Sequence, residues 1–389
     1  MTDNPETKTK VGDRRPMKRR EFIRSTGKAG LAACSGLPTL LEEAYAFGQT
    51  ANLSAVEARY YDKLPDREVE CRLCPRQCRL GDRERGYCGV RENREGTYLT
   101  LVYGKACSRN IDPVEKKPLF HFLPGARTLS IASAGCNVNC KFCQNWEISQ
   151  VRPEQIRHVD FPPSEVVSAA SSSQCPIIAY TYSEPVVFFE YMYDTSVLAG
   201  QKGIRNVVVT GGHINPEPLT DLLEVVEAVK IDLKSFRQSF YTQYVRGELK
   251  PVLEAIQIIH NKGIWLELVY LVIPSLNDST DEIADLCRWI TSSIGPDVPI
   301  HFSRFHPMYL LKNLPPTPVS TLERCRDIAL EQGLRYAYIG NVPGHKGENT
   351  FCHNCGKVLI ERYAYSIQAL NISDGKCHFC GRLQPGVWS

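Results

Sequence analysis

The stretch Gly135-Cys136-Asn137-Val138-Asn139-Cys140-Lys141-Phe142-Cys143 places three cysteines at C-x3-C-x2-C spacing, directly after an apolar run at residues 128–134. Thiolates at so short a spacing can reach one metal centre together, and soft sulfur favours an iron–sulfur cluster, zinc or copper. Four thiolates close a structural zinc site, whereas three leave one coordination position open, as a catalytic metal centre requires. The loop therefore predicts a [4Fe–4S] cluster on Cys136, Cys140 and Cys143 with one free iron. A structural metal loop that takes a fourth ligand from elsewhere is the alternative.

From residue 128 onward, the chain alternates between strand patterns and helix patterns. The apolar, β-branched runs lie at residues 128–134, 176–182, 206–210, 228–233, 264–273 and 299–305. Stretches with helical spacing of apolar residues lie at 163–173, 186–202, 216–227, 237–262, 279–293 and 320–332. Six buried parallel strands joined by helical crossovers predict an α/β fold, a partial (βα)6 TIM-like barrel within residues 121–345.

Polar residues follow nearly every predicted strand, at the end where α/β barrels carry their chemistry. Besides the cysteine loop they include Glu184, the run Thr210-Gly211-Gly212, Asp232 with Lys234, and His306. A polar rim of this kind predicts one pocket, and local capping or pairing is the alternative for each side chain. The charged turn at residues 112–122 is predicted either as a solvated face or as packing over the pocket.

Length and charge limit the class of protein. The 389 residues are enough for one large core with appendages. The net charge is +3, but residues 1–28 hold nine Lys/Arg against four acidic residues, which leaves the remainder slightly negative. A body without excess positive charge gives no sign of an electrostatic nucleic-acid surface.

Sixteen cysteines are a high number for this length, and eleven of them fall into three clusters that contain C-x2-C pairs. Such clustering favours metal ligation in a reducing compartment over a disulfide framework. The cysteines outside the clusters are expected to be small core residues or free thiols. They are Cys34, Cys107, Cys175, Cys287 and Cys325.

The first 50 residues are predicted to be a leader and linker. The run Lys18-Arg19-Arg20-Glu21-Phe22-Ile23-Arg24 and the weakly apolar stretch at 29–41 are typical of a twin-arginine export signal, with Ala44-Tyr45-Ala46 as its cleavage site. A lipobox ending at Cys34 and a basic tail with a short amphipathic helix are alternatives. No run of 18 or more uninterrupted apolar residues occurs, so no transmembrane span is predicted.

A four-cysteine segment, residues 51–120, precedes the predicted barrel. Cys71, Cys74, Cys78 and Cys88 stand at C-x2-C-x3-C-x9-C spacing, with glycines near the turns. A complete four-sulfur shell is what structural zinc uses. A second iron–sulfur cluster for electron delivery is the alternative.

A second four-cysteine segment, residues 346–389, ends the chain. Cys352, Cys355, Cys377 and Cys380 form two C-x2-C-G knuckles, which is a zinc-ribbon signature. A rubredoxin-like iron site is the alternative. His353 and His378 lie inside the knuckles and are expected to be bystanders, and the whole segment is expected to be a lid or docking module over the barrel mouth.

Longer motifs carry a resemblance to a known family. The chain resembles the radical S-adenosylmethionine (SAM) member of the AmmeMemoRadiSam system, which is related to pyruvate formate-lyase activating enzymes. The resemblance runs from about residue 68 to the end. Its motifs include Cys71-x2-Cys74-Pro75-Arg76-x-Cys78, Asp112-Pro113-x-Glu115-Lys116-Lys117-Pro118, the Cys136 loop, Tyr180-Thr181-Tyr182-x-Glu184-Pro185, Ile231-Asp232-Leu233-Lys234, Phe305-His306-Pro307 and Pro385-Gly386-Val387-Trp388.

The resemblance implies a radical-SAM barrel in which the free iron of the cluster binds SAM. It implies that Phe142 lies in the cluster motif, that Glu184 contacts the SAM amino group, and that Asp232, Lys234 and His306 match positions that contact SAM in the activating enzymes. Thr210, Gly211 and Gly212 are expected to approach the ribose or methionyl part. Lys234 is also a candidate for stabilising a substrate anion, and His306 for shuttling a proton.

The expected activity is reductive cleavage of SAM to a 5′-deoxyadenosyl radical, which abstracts hydrogen from an unidentified substrate. Activation of a glycyl-radical protein is one alternative, and a non-catalytic iron–sulfur electron carrier is another. The expected partners are a low-potential donor such as flavodoxin or ferredoxin, and Memo-like and AMMECR-type proteins, without nucleic acid. SAM and such donors are cytoplasmic, so cytoplasmic chemistry is expected, with export through the leader as the alternative.

Overall fold

The computed structural model describes residues 53–389. The predicted leader, the twin-arginine-like run and Cys34 lie outside these residues. The described residues form one compact unit. Within the described part of the chain, no helix is long and apolar enough to cross a membrane.

An eight-stranded sheet forms the centre of this unit, and its strands are neighbours in chain order. They are β1 (Ser108–Pro113), β2 (Arg127–Ala132), β3 (Ile177–Tyr180), β4 (Arg205–Thr210), β5 (Ala228–Asp232), β6 (Trp265–Val272), β7 (Ile300–Arg304) and β8 (Ala337–Gly340). β1 pairs antiparallel with β2, and every later pair is parallel. The six predicted strands are therefore present in one sheet, with two further strands at its edges.

Six helices connect or follow the parallel strands. They are α1 (Pro163–Ser172), α2 (Phe189–Gly200), α3 (Pro216–Leu222), α4 (Leu249–Asn261), α5 (Thr280–Ser293) and α6 (Val319–Glu331). α4 buries Val252, Ala255, Ile256 and Ile259, the spacing of one helical face. Cys175, Cys287 and Cys325 are buried in the same core, as predicted.

The predicted helix over 237–262 is broken. It consists of a short helix, Gln238–Phe240, a wide turn at Tyr241–Val245, and α4. Arg246 takes a left-handed conformation with φ of 61°, which ends the first part. Other short helical turns occur at Pro65–Arg67, Val114–Lys116, Trp146–Ser149, Pro153–Gln155, Pro185–Phe188 and Lys346–Glu348.

Small antiparallel sheets make up the N-terminal segment. One sheet pairs Val56–Glu57, Thr97–Thr100 and Arg91–Arg94, and another pairs Tyr61–Lys63, Val69–Cys71 and Arg79–Leu80. A two-stranded sheet joins Lys105–Ala106 to Val159–Asp160. Because β1 belongs to the central sheet, this sheet already begins inside the predicted segment 51–120.

The C-terminal segment has its own small core. Thr350–Phe351, Val358–Tyr363 and Ser366–Leu370 form a three-stranded antiparallel sheet, and Ile372–Ser373 pairs with Lys376–Cys377. Cys352, Leu359, Ile360, Ile372 and Cys377 are buried together. Two of the four cysteines of this segment are therefore part of its core.

Candidate active site at the carboxyl ends of the strands

A cavity of about 380 Å³ opens where the parallel strands end. It brings together nine of the predicted site residues, which come from four different strand ends. They are Cys136, Cys140, Phe142, Cys143, Glu184, Thr210, Gly211, Asp232 and Lys234. Gly212 and His306 are not among the residues that line it.

The cysteine loop is held by the broken helix. The backbone amides of Asn139 and Lys141 donate to the carbonyl oxygens of Val245 and Tyr244, at 2.9 and 2.8 Å. A wide turn leaves carbonyl groups without their usual helical partners, so they can accept from a neighbouring loop. The interruption at Arg246 therefore positions the loop that carries Cys140.

The three loop cysteines are spaced for a cluster and not for a single ion. In the described part of the chain, the C-terminal four-cysteine set is the only group of three or more ligand side chains whose ligand atoms all lie within 4.8 Å of one another. The sulfurs of Cys136, Cys140 and Cys143 therefore do not all lie within that distance of one another, whereas sulfurs around one tetrahedral zinc lie about 3.8 Å apart. Burial raises the pKa of Cys140 to about 12, and metal binding would supply the deprotonation. The donor set fits an iron–sulfur cluster.

Glu184 presents a buried carboxylate beside the cysteines. The hydroxyl of Thr210 donates to its Oε1 at 2.5 Å, and the amide of Gly211 donates to its Oε2 at 2.9 Å. Burial raises the pKa of Glu184, although these hydrogen bonds and Lys234 oppose the shift. A carboxylate fixed in this way can accept from a cationic ligand group.

Gly212 does not serve the predicted purpose of approaching a ligand. Its φ is 72°, and a Cβ there would lie 3.1 Å from Cδ1 of Ile231 and 3.3 Å from Cγ1 of Val252. Its amide donates to Oγ1 of Thr210 at 3.0 Å. Glycine is required here for the left-handed turn and for packing between β5 and α4.

His306 is exposed and its side chain does not reach the cavity. The end of β7 contributes Ser303 to the lining instead. The assignment of His306 as a SAM contact or proton shuttle is therefore not supported by its position. A polar residue just after a strand can turn outward once the chain leaves the sheet.

Asp232 is held between two lysines. Nζ of Lys234 lies 3.1 Å from its Oδ2, and Lys230 pairs with its Oδ1. Burial alone would raise the pKa of Asp232, but the two lysines lower it to about 2. Lys230 was not predicted, and the signal that could have found it is a charged residue inside an otherwise apolar strand.

A second charged cluster lies at the cavity and was not assigned from the sequence. Nζ of Lys117 donates to Oδ2 of Asp112 at 2.7 Å, and the hydroxyl of Tyr182 donates to the same carboxylate. Burial lowers the pKa of Lys117 to about 8, although Asp112 opposes this shift. Asp112 and Lys117 are buried, so the turn at 112–122 packs at the site and is not a solvated face. Tyr182 has φ of 67°, a strained conformation for a bulky residue.

The charges around the cavity are nearly balanced. Four lysines line it, and they pair with the carboxylates of Asp112 and Asp232, while Glu184 adds a third carboxylate. The lysines are Lys116, Lys117, Lys230 and Lys234. The C-terminal segment adds Tyr365 to the wall, so residues far apart in sequence complete one pocket.

The C-terminal cysteines have the geometry of a single-ion site. Sγ of Cys352 lies 3.7 Å from that of Cys380, and Sγ of Cys355 lies 3.8 Å from that of Cys377. Sulfurs around one tetrahedral zinc are expected about 3.8 Å apart. His353 and His378 do not belong to the group, since their rings contact Tyr336 and Ser373. The four N-terminal cysteines surround a separate cavity of about 20 Å³.

Comparisons with known proteins agree with this arrangement. The family model described as the Radical SAM superfamily matches residues 130–287. The uncharacterized protein MJ0808 of Methanocaldococcus jannaschii is 47% identical over 327 residues, which are 84% of this chain and 97% of that protein. The pyruvate formate-lyase 1-activating enzyme of Escherichia coli K12 is 24% identical over 230 residues, 55% of this chain and 93% of that enzyme.

A solved structure of a radical SAM methyltransferase from Sphaerobacter thermophilus is 17% identical, with a TM-score of 0.45, and covers 61% of this chain and 71% of that one. The family match lies on the cysteine loop and the strand ends that form the cavity. The chain thus contains a radical SAM domain, at residues 130–287, and belongs to one family with MJ0808.

Proposed function

We propose that this protein is an enzyme that cleaves SAM reductively and uses the resulting radical on a substrate held in the 380 Å³ cavity. The observation that carries the proposal is the arrangement of three widely spaced cysteines beside a buried, fixed carboxylate. When bound, a reduced [4Fe–4S] cluster supplies the electron that splits SAM into methionine and a 5′-deoxyadenosyl radical able to abstract hydrogen.

Each of the site residues is assigned to the ligand group that its charge suits. Cys136, Cys140 and Cys143 would hold the cluster and leave one iron free for SAM. Glu184 would accept a hydrogen bond from the amino group of SAM, in the orientation that Thr210 and Gly211 fix. Lys234 donates to the SAM carboxylate or to a substrate anion.

The test is formation of 5′-deoxyadenosine by anaerobic protein that is given SAM and dithionite. Cys140→Ala is expected to abolish the product, and Cys107→Ala is a matched control because Cys107 lies outside the three cysteine sets. A protein with an intact cluster that binds no SAM in a titration and forms no 5′-deoxyadenosine would instead be an electron carrier.

For the substrate, we propose a role in the AmmeMemoRadiSam system, together with Memo-like and AMMECR-type proteins. The shared residues from Cys71 to Trp388 support this assignment. Consumption of a candidate substrate only when these partners are present would bear it out.

A second candidate is activation of a glycyl-radical protein. The similarity to the pyruvate formate-lyase 1-activating enzyme over 230 residues favours it. The two candidates predict different spectra, since activation leaves a stable glycyl radical on a partner protein. Incubation with a glycyl-radical enzyme from the same genome, followed by electron paramagnetic resonance, decides between them.

The reductant and location follow from the same chemistry. We propose a flavodoxin or ferredoxin as the electron donor, and the cytoplasm as the place of reaction, because SAM is made there. Uncleaved protein in the cytosolic fraction is the expected result. Cleavage after residue 46 and recovery outside the cytosol would show that the leader is used.

A further inference from the structure

The four N-terminal cysteines line a small cavity, and their sulfurs do not converge on the position of a single ion. All of Cys71, Cys74, Cys78 and Cys88 line the cavity of about 20 Å³, which is more than one water needs. No three of their sulfurs lie within 4.8 Å of one another, since the C-terminal set alone meets that limit among the described residues. Four sulfurs around a single ion would leave no cavity between them.

The C-terminal set serves as an internal standard for a single-ion site. Its sulfurs make contacts of 3.7 and 3.8 Å, as four thiolates around one zinc must. Among the described residues, no three sulfurs of the N-terminal set come within 4.8 Å of one another, so they do not converge on one ion in this way. Four separated thiolates suit a cubane, whose four irons each take one thiolate.

The net charge of the site does not distinguish zinc from a [4Fe–4S] cluster, so the distinction rests on the spacing of the sulfurs. Four thiolates with Zn²⁺ and four thiolates with an oxidised [4Fe–4S] core carry the same net charge of about −2. Arg76 and Arg91 line the cavity and suit either anion.

The N-terminal site is packed against the loop of the first cluster. A Cβ at Gly135 would lie only 2.7 Å from the carbonyl oxygen of Cys88, so the two cysteine loops are in direct backbone contact. Nε of Arg76 donates to the carbonyl oxygen of Asn137 at 2.9 Å. The side chain of Asn137 lines the N-terminal cavity, and its Oδ1 is buried without a hydrogen-bond partner among the described residues.

We propose that Cys71, Cys74, Cys78 and Cys88 bind a second [4Fe–4S] cluster, which relays single electrons to the cluster on Cys136, Cys140 and Cys143. An external low-potential flavodoxin or ferredoxin loses one electron and the second cluster gains it. The second cluster then returns to its oxidised form as the first is reduced, with no proton or bond change. Electron transfer between the two clusters depends on the proposed function, whereas the presence of the second cluster does not.

The first experiment measures metals in protein purified without oxygen and without reconstitution. About eight iron and about one zinc per chain are expected, against about four iron and about two zinc if the N-terminal site holds zinc. The variant with Cys136→Ala, Cys140→Ala and Cys143→Ala is expected to keep about four iron with a cubane Mössbauer spectrum, and Cys107→Ala is expected to match the wild type. Loss of all iron from a folded triple variant overturns the proposal.

A measurement on the wild type covers the case in which the triple variant does not fold. Anomalous difference maps from crystals, recorded on either side of the iron and zinc edges, assign each metal site directly. Iron at the N-terminal site supports the proposal, and zinc there overturns it while leaving the proposed function intact. Absence of iron at Cys136 would refute the proposed function and leave the second cluster standing.

The relay has its own spectroscopic test. Two reduced clusters in adjacent loops couple magnetically, so the resonance signal of the reduced wild type is expected to be broader than the sum of two single-cluster spectra. One comes from the triple variant, and the other from a second triple variant, Cys71→Ala, Cys74→Ala and Cys78→Ala, which removes the second cluster. A wild-type spectrum equal to the simple sum would overturn the relay.

Discussion

A carboxylate that recognises a cation must be correctly oriented, and at Glu184 neighbouring groups fix the orientation and oppose the rise in pKa that burial causes. The hydroxyl of Thr210 and the amide of Gly211 each donate to one of its oxygens. Gly212 in turn donates to Thr210, so the run after β4 acts on the ligand through Glu184. We therefore regard Thr210 and Gly212 as positioning residues.

Thr210→Val is expected to weaken SAM binding about tenfold, because loss of a hydrogen bond to a buried carboxylate costs roughly 1–3 kcal/mol. Thr210→Ser, which keeps the hydroxyl, is expected to bind like the wild type. Calorimetric titration of SAM into protein of equal iron content measures both. Equal affinities for Val and Ser variants would exclude the positioning role.

Among single residues, the sequence was enough to predict cysteines and acidic residues that follow apolar strands. It was not enough to predict lysines whose importance comes from being buried at the cavity. The cysteines, Glu184 and Asp232 were identified because such groups are unusual after apolar strands. Lys230 and Lys117 were missed, since only the folded structure shows that their charges are buried at the cavity. Gly212 and His306 were assigned to the ligand because a sequence does not reveal which way a residue after a strand faces.

At the scale of elements, a buried ion pair joins the N-terminal segment to helix α2. Arg91, on a strand of the N-terminal segment, pairs with Glu190 on α2, and both side chains are almost fully buried. The amide of Arg59 also donates to Glu190, at 2.7 Å. The pair therefore fixes the segment that carries the four N-terminal cysteines.

Arg91→Met is expected to lower the free energy of unfolding by about 3–5 kcal/mol, because it leaves the Glu190 carboxylate buried and unpaired. The double variant Arg91→Met, Glu190→Leu is expected to be closer to the wild type. Chemical denaturation under anaerobic conditions measures both. A double variant that is less stable than the single one would show that the pair itself stabilises the fold.

The order of the strands and helices could be predicted from the periodicity of apolar residues, but the break within the predicted helix could not. All six predicted strands are present, since their apolar runs are long and bounded by polar residues. β8 was missed because its four residues carry too short a pattern. The break at Arg246 was missed because apolar spacing continues across it, while the left-handed residue and the contacts of Tyr244 and Val245 depend on the folded cysteine loop.

At the scale of the whole molecule, the C-terminal segment is attached to the segment before β2. The amide of Leu123 donates to the carbonyl of Val387, and the amide of Val387 donates to the carbonyl of His121, both at 2.7 Å. Arg362 donates to the carbonyl of Phe120 at 2.8 Å and lies over its ring. The ring of His121 also contacts the carbonyl of Pro385 at 2.8 Å.

His121 should make this attachment sensitive to acid. Burial lowers its pKa from 6.5 to about 4, although Glu267 opposes the shift and Arg362 and His301 add to it. Between these values the unfolded chain binds more protons than the folded one, so stability is lost as pH falls from about 6.5 towards 4, by up to about 3 kcal/mol.

The measurement is the thermal unfolding midpoint of wild type and His121→Gln at a series of pH values. The wild type is expected to lose more stability than the variant below about pH 6.5. Parallel curves for the two proteins would show that His121 is not the group that titrates.

Tyr365 lies in the wall of the active cavity, yet it belongs to a segment whose own core contains two cysteines of the C-terminal metal site. If the proposed radical chemistry takes place in this cavity, loss of a metal from the four C-terminal cysteines would open the wall at Tyr365. Protein without that metal would then be expected to cleave SAM and release 5′-deoxyadenosine without forming product.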